Sequence, residues 1–313
     1  MQLEIVIITY NRASYLENTL NTLCNSNLGT LKITILDNAS KDNTLLLCKS
    51  FENKFSNFNV ITHKHNIGLG ANIIRALEIS SSVYTWVLCD DDRLELSNFE
   101  DVESEIKKGE VDLIHVGGHP QSSWPFGGKT YAIKNLYKLG YPYFKFSSFL
   151  PSNIFKTELF QENFMIAGYN NVTNAYPHMP YLLDLYNTDK FIYVSKHQIV
   201  FAKMSGQSYD TANQWFFWWM KTCELLIDKI EVRNAFLDQW KDIYNTNDKG
   251  GLDAFYNFLV RYKEDDYVNQ FLRKYFTNED KKYFTELDNS SQIGRDLSIV
   301  SVFYSLFKKM KIK

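Results

Sequence analysis

The chain has 313 residues, 45% of them hydrophobic and 16% aromatic, enough to fill one large core or one core with a substantial appendage. Its 34 basic and 36 acidic side chains leave a formal charge of −2, which argues against a general nucleic-acid binder. Four scattered cysteines, Cys24, Cys48, Cys89 and Cys223, have neither metal-ligand spacing nor the density of a disulfide framework, and read as reduced cytoplasmic thiols.

The first part of the chain alternates strand and helix patterns. Residues 3–9 form a continuous apolar strand, and 15–24 carry Leu16, Leu20 and Leu23 at helical spacing. A second strand at 31–36 ends in Asp37-Asn38-Ala39-Ser40. It is followed by a helix through Leu45, Leu46 and Leu47 and a short strand at 59–62. Gly68-Leu69-Gly70 opens a helix through Ile73, Ile74, Leu77 and Ile79. Residues 84–89 form the next strand, and 111–116 another after a charged helix. This order predicts an α/β fold, a mostly parallel sheet with helices on both faces. Residues 118–128 read as a surface loop, 146–154 as partly extended, 181–186 as a helix, and 191–194 and 199–202 as short strands. Helical patterns at 215–229, 254–262 and 297–310 predict a helical C-terminal appendage. The expected organisation is therefore a sheet domain over 1–206, divided into halves 1–117 and 118–206, followed by a helical region over 207–313. No basic leader precedes the first strand, and no stretch is long and apolar enough to span a bilayer. Together with the reduced thiols, this gives a cytoplasmic protein as the expectation.

Asp90-Asp91-Asp92 stands directly after the apolar strand 84–89. Charge clustered at the end of a buried strand is costly unless compensated, and a divalent cation with oxygen ligands, Mn²⁺ or Mg²⁺, would relieve it. A solvated acidic turn is the bland alternative, and the surrounding chain outweighs it. Thr9-Tyr10-Asn11-Arg12, Asp37-Asn38, His65-Asn66 and the aspartates all fall at or just beyond strand carboxyl ends, where open α/β sheets bind ligands.

Those four segments, in that order, resemble the nucleotide-sugar half of family 2 glycosyltransferases, which have the GT-A fold. The likeness is greatest to bacterial O-antigen and capsule enzymes, abequosyltransferase-like members among them. The resemblance implies that Thr9, Tyr10, Asn11 and Arg12 line the base and ribose pocket. Asp37, beside Asn38, would accept a hydrogen bond from a pyrimidine imide, favouring a UDP-sugar. For Asp37 the structural alternative is a turn or helix cap. Asn66, Gly68 and Gly70 would let the backbone approach the donor. Asp90 and Asp92 would form the DxD motif, with Asp92 the more direct metal ligand and Asp90 or Asp91 near the ribose. The transfer would be inverting, from a nucleotide sugar to a hydroxyl of a surface glycan or lipid-linked oligosaccharide.

Such a transfer needs a general base. Where the family places an acidic pair before a helix, this chain has Pro177-His178-Met179-Pro180, which makes His178 the expected base and Asp184 the reserve. A histidine satisfying backbone groups is the alternative for His178. Ser152 and Asn153 are candidates for acceptor or sugar contacts, whereas His115 and His119 read as structural or loop residues. The segment 203–208 lacks the histidine that many relatives carry. At the C-terminus, an apolar stretch at 297–307 precedes the basic 308–313, a pattern suited to peripheral contact with an anionic membrane or to ordinary core packing. Two other functions fit less well. A nucleotidyltransferase would need a Gly- and Arg/Lys-rich early loop, and a non-catalytic glycan-binding subunit would have little use for the aspartates.

Overall fold

Strand β1 (Leu3–Thr9) is the hub of the sheet, and none of its residues is more than 4% exposed. It lies parallel to β2 (Lys32–Asp37) on one side and β4 (Tyr84–Cys89) on the other. A strand flanked on both sides and covered on both faces needs the near-continuous apolar run that LEIVII supplies. Its single charge, Glu4, is neutralised by Lys32, whose Nζ is 2.5 Å away. The computed structural model describes residues 2–117, 125–160, 162–174, 176–186, 188–202, 211–225, 230–245, 258, 261–262 and 265–275.

The eight-stranded sheet runs β3-β2-β1-β4-β8-β6-β9-β7. The added strands are β3 (Asn57–Thr62), β6 (Leu113–His115), β7 (Lys129–Ala132), β8 (Asn153–Lys156) and β9 (Phe191–Val194). Pairing is parallel from β3 through β4 and between β6 and β9. It is antiparallel on both sides of β8 and between β9 and β7. A separate two-stranded ribbon joins β5 (Arg93–Leu94) to β10 (Val200–Phe201).

Alternation along the strands sorts side chains to two faces. Leu3, Ile5, Ile7, Ile33 and Ile35 share a core with α1 (Ala13–Cys24), α2 (Thr44–Phe51) and α4 (Glu100–Lys108), which contribute Leu16, Leu20, Leu23, Cys48, Phe51, Val102 and Ile106. On the opposite face, α3 (Leu69–Glu78) packs on β1 and β4. The second half of the sheet unit adds α5 (Ile133–Leu136), α6 (Tyr143–Ser148), α7 (Glu162–Asn170) and α8 (Met179–Tyr186). Residues 143–148, expected in part to be extended, are helical because the buried positions 143, 144, 147 and 148 recur at helical period. The expected leucine stripe on α2 faces largely outward: Thr44, Cys48 and Phe51 are buried, while Leu45 and Leu46 are exposed.

Two compact units emerge, one of Met1–Gln207 with Lys229–Gln239, the other of Ser208–Asp228 with Trp240–Lys313. Among the described residues after 207, the helices are α9 (Thr211–Leu225), α10 (Ile230–Asn245) and α11 (Asp266–Tyr275). Within the second unit, Phe216 and Phe217 of α9 pack on Phe258, and Phe217 also meets Tyr262, at ring separations of 4.7–5.2 Å. The segments at 297–310 and 308–313 lie outside the described residues, as do His119 and 203–208. Among the described residues no helix is long and apolar enough to cross a membrane.

Two glycines govern how the halves of the sheet unit meet. A Cβ on Gly70 would stand 2.2 Å from the Val172 carbonyl oxygen, so α3 and the segment after α7 approach backbone to backbone. A Cβ on Gly168 would meet Ile74 Cδ1 at 2.7 Å, which is why α7 lies close against α3. Gly68, by contrast, is required for its φ of 84°, with nothing within 4 Å of where its Cβ would be. Gly70→Ala should therefore lower unfolding free energy by roughly 1–3 kcal/mol through overpacking, and Gly70→Val by more. Gly68→Ala and Gly68→Val should cost similar amounts to each other, because that penalty is backbone strain. Urea denaturation of the four variants measures the contrast.

Candidate active site

The cleft begins where β2, β1 and β4 end side by side. Thr9 pairs with Asp37 in register, and the Asn38 amide donates to the Thr9 carbonyl at 2.9 Å. On the other side, Thr9 Oγ1 donates to Asp90 Oδ2 at 2.7 Å. Chain order diverges between β1 and β4, because β2 and β3 lie to one side of β1. Their carboxyl ends therefore form a topological switch point, the natural crevice of such a sheet. Asp37, Thr9 and the aspartates thus share one edge.

The loops above this edge are held by their own amides. Asn11, at φ 52°, donates its N–H to Ser40 Oγ at 2.8 Å and accepts from the Lys41 N–H through Oδ1 at 2.6 Å. Asn38 donates through Nδ2 to Asn66 Oδ1 at 2.9 Å and accepts the Ile67 N–H at 2.9 Å. Asn66 Oδ1 also accepts the Gly68 N–H at 2.8 Å. Asn11, Asn38 and Asn66, expected to line the donor pocket, therefore fasten the loops after β1, β2 and β3 to one another. Asp37 is fully buried and accepts the Ser40 N–H at 3.2 Å, so it also caps its own turn. Tyr10 keeps 38% of its surface exposed beside this edge. Gly70, expected to admit the donor, has its Cβ position taken by Val172 instead; the close approach it permits is between two parts of the protein.

The three aspartates have different surroundings. Asp90 and Asp92 are buried and Asp91 is partly exposed. Burial pushes the Asp90 carboxyl up to about 7, even though Arg12 and the Thr9 hydroxyl favour its charged form. Burial raises Asp92 as well, against the Cys89 amide that donates to its Oδ2 at 2.8 Å. Arg12, expected in the base and ribose pocket, turns instead to the aspartates. Its Nε is 3.2 Å from Asp90 Oδ1, and its Nη2 donates to Asp91 Oδ2 at 2.5 Å. Its guanidinium also stacks over Tyr15, 4.5 Å from the ring centroid.

No cluster of three or more His, Cys, Asp or Glu side chains arranged to hold a metal occurs among the described residues. The donor chemistry nevertheless suits a hard cation that takes one or two carboxylates and completes its shell with phosphate oxygens and water. Asp92 Oδ1 makes no hydrogen bond among the described residues, and Asp91 sits beside it at the surface.

The acceptor-side candidates form a second buried network. Asn153 Nδ2 donates to the carbonyls of Ser147, Phe149 and Leu150 at 3.0–3.2 Å, which orients its Oδ1 toward His115 Nε2 at 2.8 Å. His115 therefore carries its proton on Nε2, and Tyr141 Oη donates to Nδ1 at 2.5 Å. Ser152 Oγ, also buried, is engaged with the Phe146 and Phe149 carbonyls at 2.5 and 2.6 Å. Ser152 and Asn153 thus shape the 146–152 turn from within, rather than presenting polar atoms to solvent. His115, expected to be structural, is the centre of this network, which periodicity in the sequence did not reveal.

His178 is 1% exposed and donates from Nε2 to the Ser147 carbonyl at 3.1 Å. That bond leaves Nδ1 as the lone-pair nitrogen, with no partner among the described residues. Burial depresses its pKa to about 4, opposed in part by the Ser147 and Ser148 carbonyls. Asp184 lies on the exposed side of α8.

The sequence pattern of glycosyl transferase family 2 matches residues 4–174, more than half the chain and every element of the cleft edge. The chain belongs to glycosyl transferase family 2. It is accordingly a glycosyltransferase. It is 26% identical over 314 residues to abequosyltransferase RfbV of Salmonella typhimurium, covering 91% of this chain and 88% of the relative. Among solved structures, S. aureus TarS 1–349 in complex with UDP superposes with a TM-score of 0.62 at 17% identity, covering 90% of this chain and 83% of that one. Mannosyltransferase PcManGT from Pyrobaculum calidifontis, in complex with GDP-Man and Mn²⁺, gives a TM-score of 0.51 at 9% identity, with coverage of 86% and 83%. The GT-A fold expected from the sequence is the fold of this chain.

His178 gives a stability test with a defined sign. Between about pH 4 and 6.5 the unfolded chain binds a proton at this imidazole that the folded chain excludes. Its contribution is therefore complete above 6.5 and lost as pH falls toward 4, with a maximal slope of about 1.4 kcal/mol per pH unit. Chemical denaturation from pH 4 to 7 should show a shallower pH dependence for His178→Gln than for wild type.

Proposed function

We propose that the enzyme transfers a sugar from a nucleotide-sugar donor, a UDP-sugar by preference, to a hydroxyl of a bacterial surface glycan or lipid-linked oligosaccharide, with inversion and with Mn²⁺ or Mg²⁺ as cofactor. The observation that carries this is the single edge shared by Asp37, Thr9 and Asp90 at the β1/β4 switch point. Support for the donor class comes from solved relatives of the fold: TarS holds UDP or UDP-GlcNAc, and PcManGT holds GDP-Man and Mn²⁺. The abequosyltransferase similarity supports a surface-glycan acceptor.

In this scheme Asp37 accepts the imide N–H of uracil, and the exposed Tyr10 ring lies against the base. Asp92 and Asp90 would hold the cation, whose chemistry is to offset charge on the departing diphosphate. Burial of these carboxylates strengthens each electrostatic contact they make. His178 Nδ1, neutral above its depressed pKa, is the candidate base for the acceptor hydroxyl, with Asp184 in reserve. His115, Ser147, Ser152 and Asn153 keep the turn over which an acceptor would lie in one shape. The apolar-then-basic sequence at 297–313 supports peripheral contact with an anionic membrane.

Thermal-shift titration should show stabilisation by UDP that is enhanced by Mn²⁺, and turnover should release a nucleoside diphosphate. Pyrophosphate as the product would refute the transfer. Asp37→Ala should weaken UDP binding by about 10–100-fold, the loss of one charge-assisted hydrogen bond. Asp92→Asn should remove the Mn²⁺ enhancement while leaving metal-free UDP binding measurable. His178→Ala should lower kcat by about 10²–10⁴ with donor binding retained.

A further inference from the structure

Arg12 sits where a cation would be expected. Its guanidinium touches two members of the aspartate triplet, Asp90 at 3.2 Å and Asp91 at 2.5 Å, and its side chain is only 22% exposed. Tyr15 backs the guanidinium plane, so the group is positioned rather than swinging in solvent. Other contacts of the cluster are also internal. Thr9 Oγ1 occupies the second oxygen of Asp90, Thr19 Oγ1 donates to the Asp90 carbonyl at 2.9 Å, and the Cys89 amide occupies one oxygen of Asp92. The cluster is thus compensated by the protein's own cation.

We propose that Arg12 is a resident counter-ion that keeps divalent metal out of the donor-free cleft, so that the metal is admitted together with the diphosphate. The inference rests on the proposed use of Asp90 and Asp92 as metal-holding residues and adds an order of binding to it. A free divalent ion approaching Asp90 and Asp91 meets a guanidinium already paired with both, and like charges at such spacing repel. A diphosphate changes the balance. It brings anionic oxygens that a planar guanidinium binds in bidentate fashion, and it gives Arg12 a partner to turn toward as the carboxylates are released.

The test is Mn²⁺ binding followed by electron paramagnetic resonance of the free aquo ion, on full-length protein with and without UDP. Donor-free wild type should bind Mn²⁺ at least tenfold more weakly than Arg12→Gln or Arg12→Met; the methionine retains apolar packing on Tyr15. Arg12→Lys, which keeps the charge, should behave like wild type. Adding UDP should tighten Mn²⁺ binding to wild type far more than to Arg12→Gln. Adding Asp92→Asn to Arg12→Gln should abolish the gained affinity. Donor-free Mn²⁺ affinities within twofold among wild type, Arg12→Gln and Arg12→Met would overturn the counter-ion role, even if UDP and Mn²⁺ bind wild type together. Absence of UDP binding to wild type at any Mn²⁺ concentration would instead overturn the proposed donor site on which the inference rests.

Discussion

Two buried carboxylates at the end of a strand must be balanced by a positive charge or by donated hydrogen bonds, and the architecture of the cleft follows from that requirement. Burial raises Asp90 to about 7 even with Arg12 and the Thr9 hydroxyl favouring its charged form. Thr9, Arg12, Thr19 and the Cys89 amide all bear on this cluster, and three of those four come from β1, α1 or the turn between them. The β1–β4 pairing is therefore electrostatic at its carboxyl end as well as apolar along its length. At the proposed donor site the hydroxyl and amide donors are already in place, so the rearrangement that a diphosphate requires falls chiefly on the Arg12 side chain.

A second layer of order comes from asparagines. Asn11, Asn38 and Asn66 each bridge one strand-end loop to another: Asn11 and Asn38 both donate and accept, and Asn66 accepts through Oδ1. An amide is suited to this because it carries no charge to desolvate and can satisfy two backbone directions at once. These residues fix the segments that carry Tyr10, Asp37 and Arg12, the side chains of the proposed donor site.

The donor half was legible because its signals are local and redundant. Parallel strands buried on both faces write continuous apolar runs, as in LEIVII and TWVL, and each run ends at polar residues that coincide with the cleft edge. Residues 118–206 were less legible. Their strands are two to four residues long, α7 is built around Gly168 rather than an apolar stripe, and α6 spans fewer than two turns. Roles of individual side chains were harder still. That Arg12 pairs with aspartates some eighty positions away, or that His115 organises Asn153 and Tyr141, depends on tertiary proximity that a periodic pattern does not encode.

The contact between Gly70 and Val172 also bears on how such an enzyme diversifies. Because the start of α3 touches the chain just ahead of His178 through main-chain atoms, the separation there is set by the absence of a side chain, with no compressible group in between. Acceptor preference can drift by exchanging surface loops elsewhere, but a graft that replaces residues 168–174 must bring a backbone of matching path. Recombination between related transferases would thus tolerate a crossover beyond residue 178 more readily than one that separates position 70 from its facing segment.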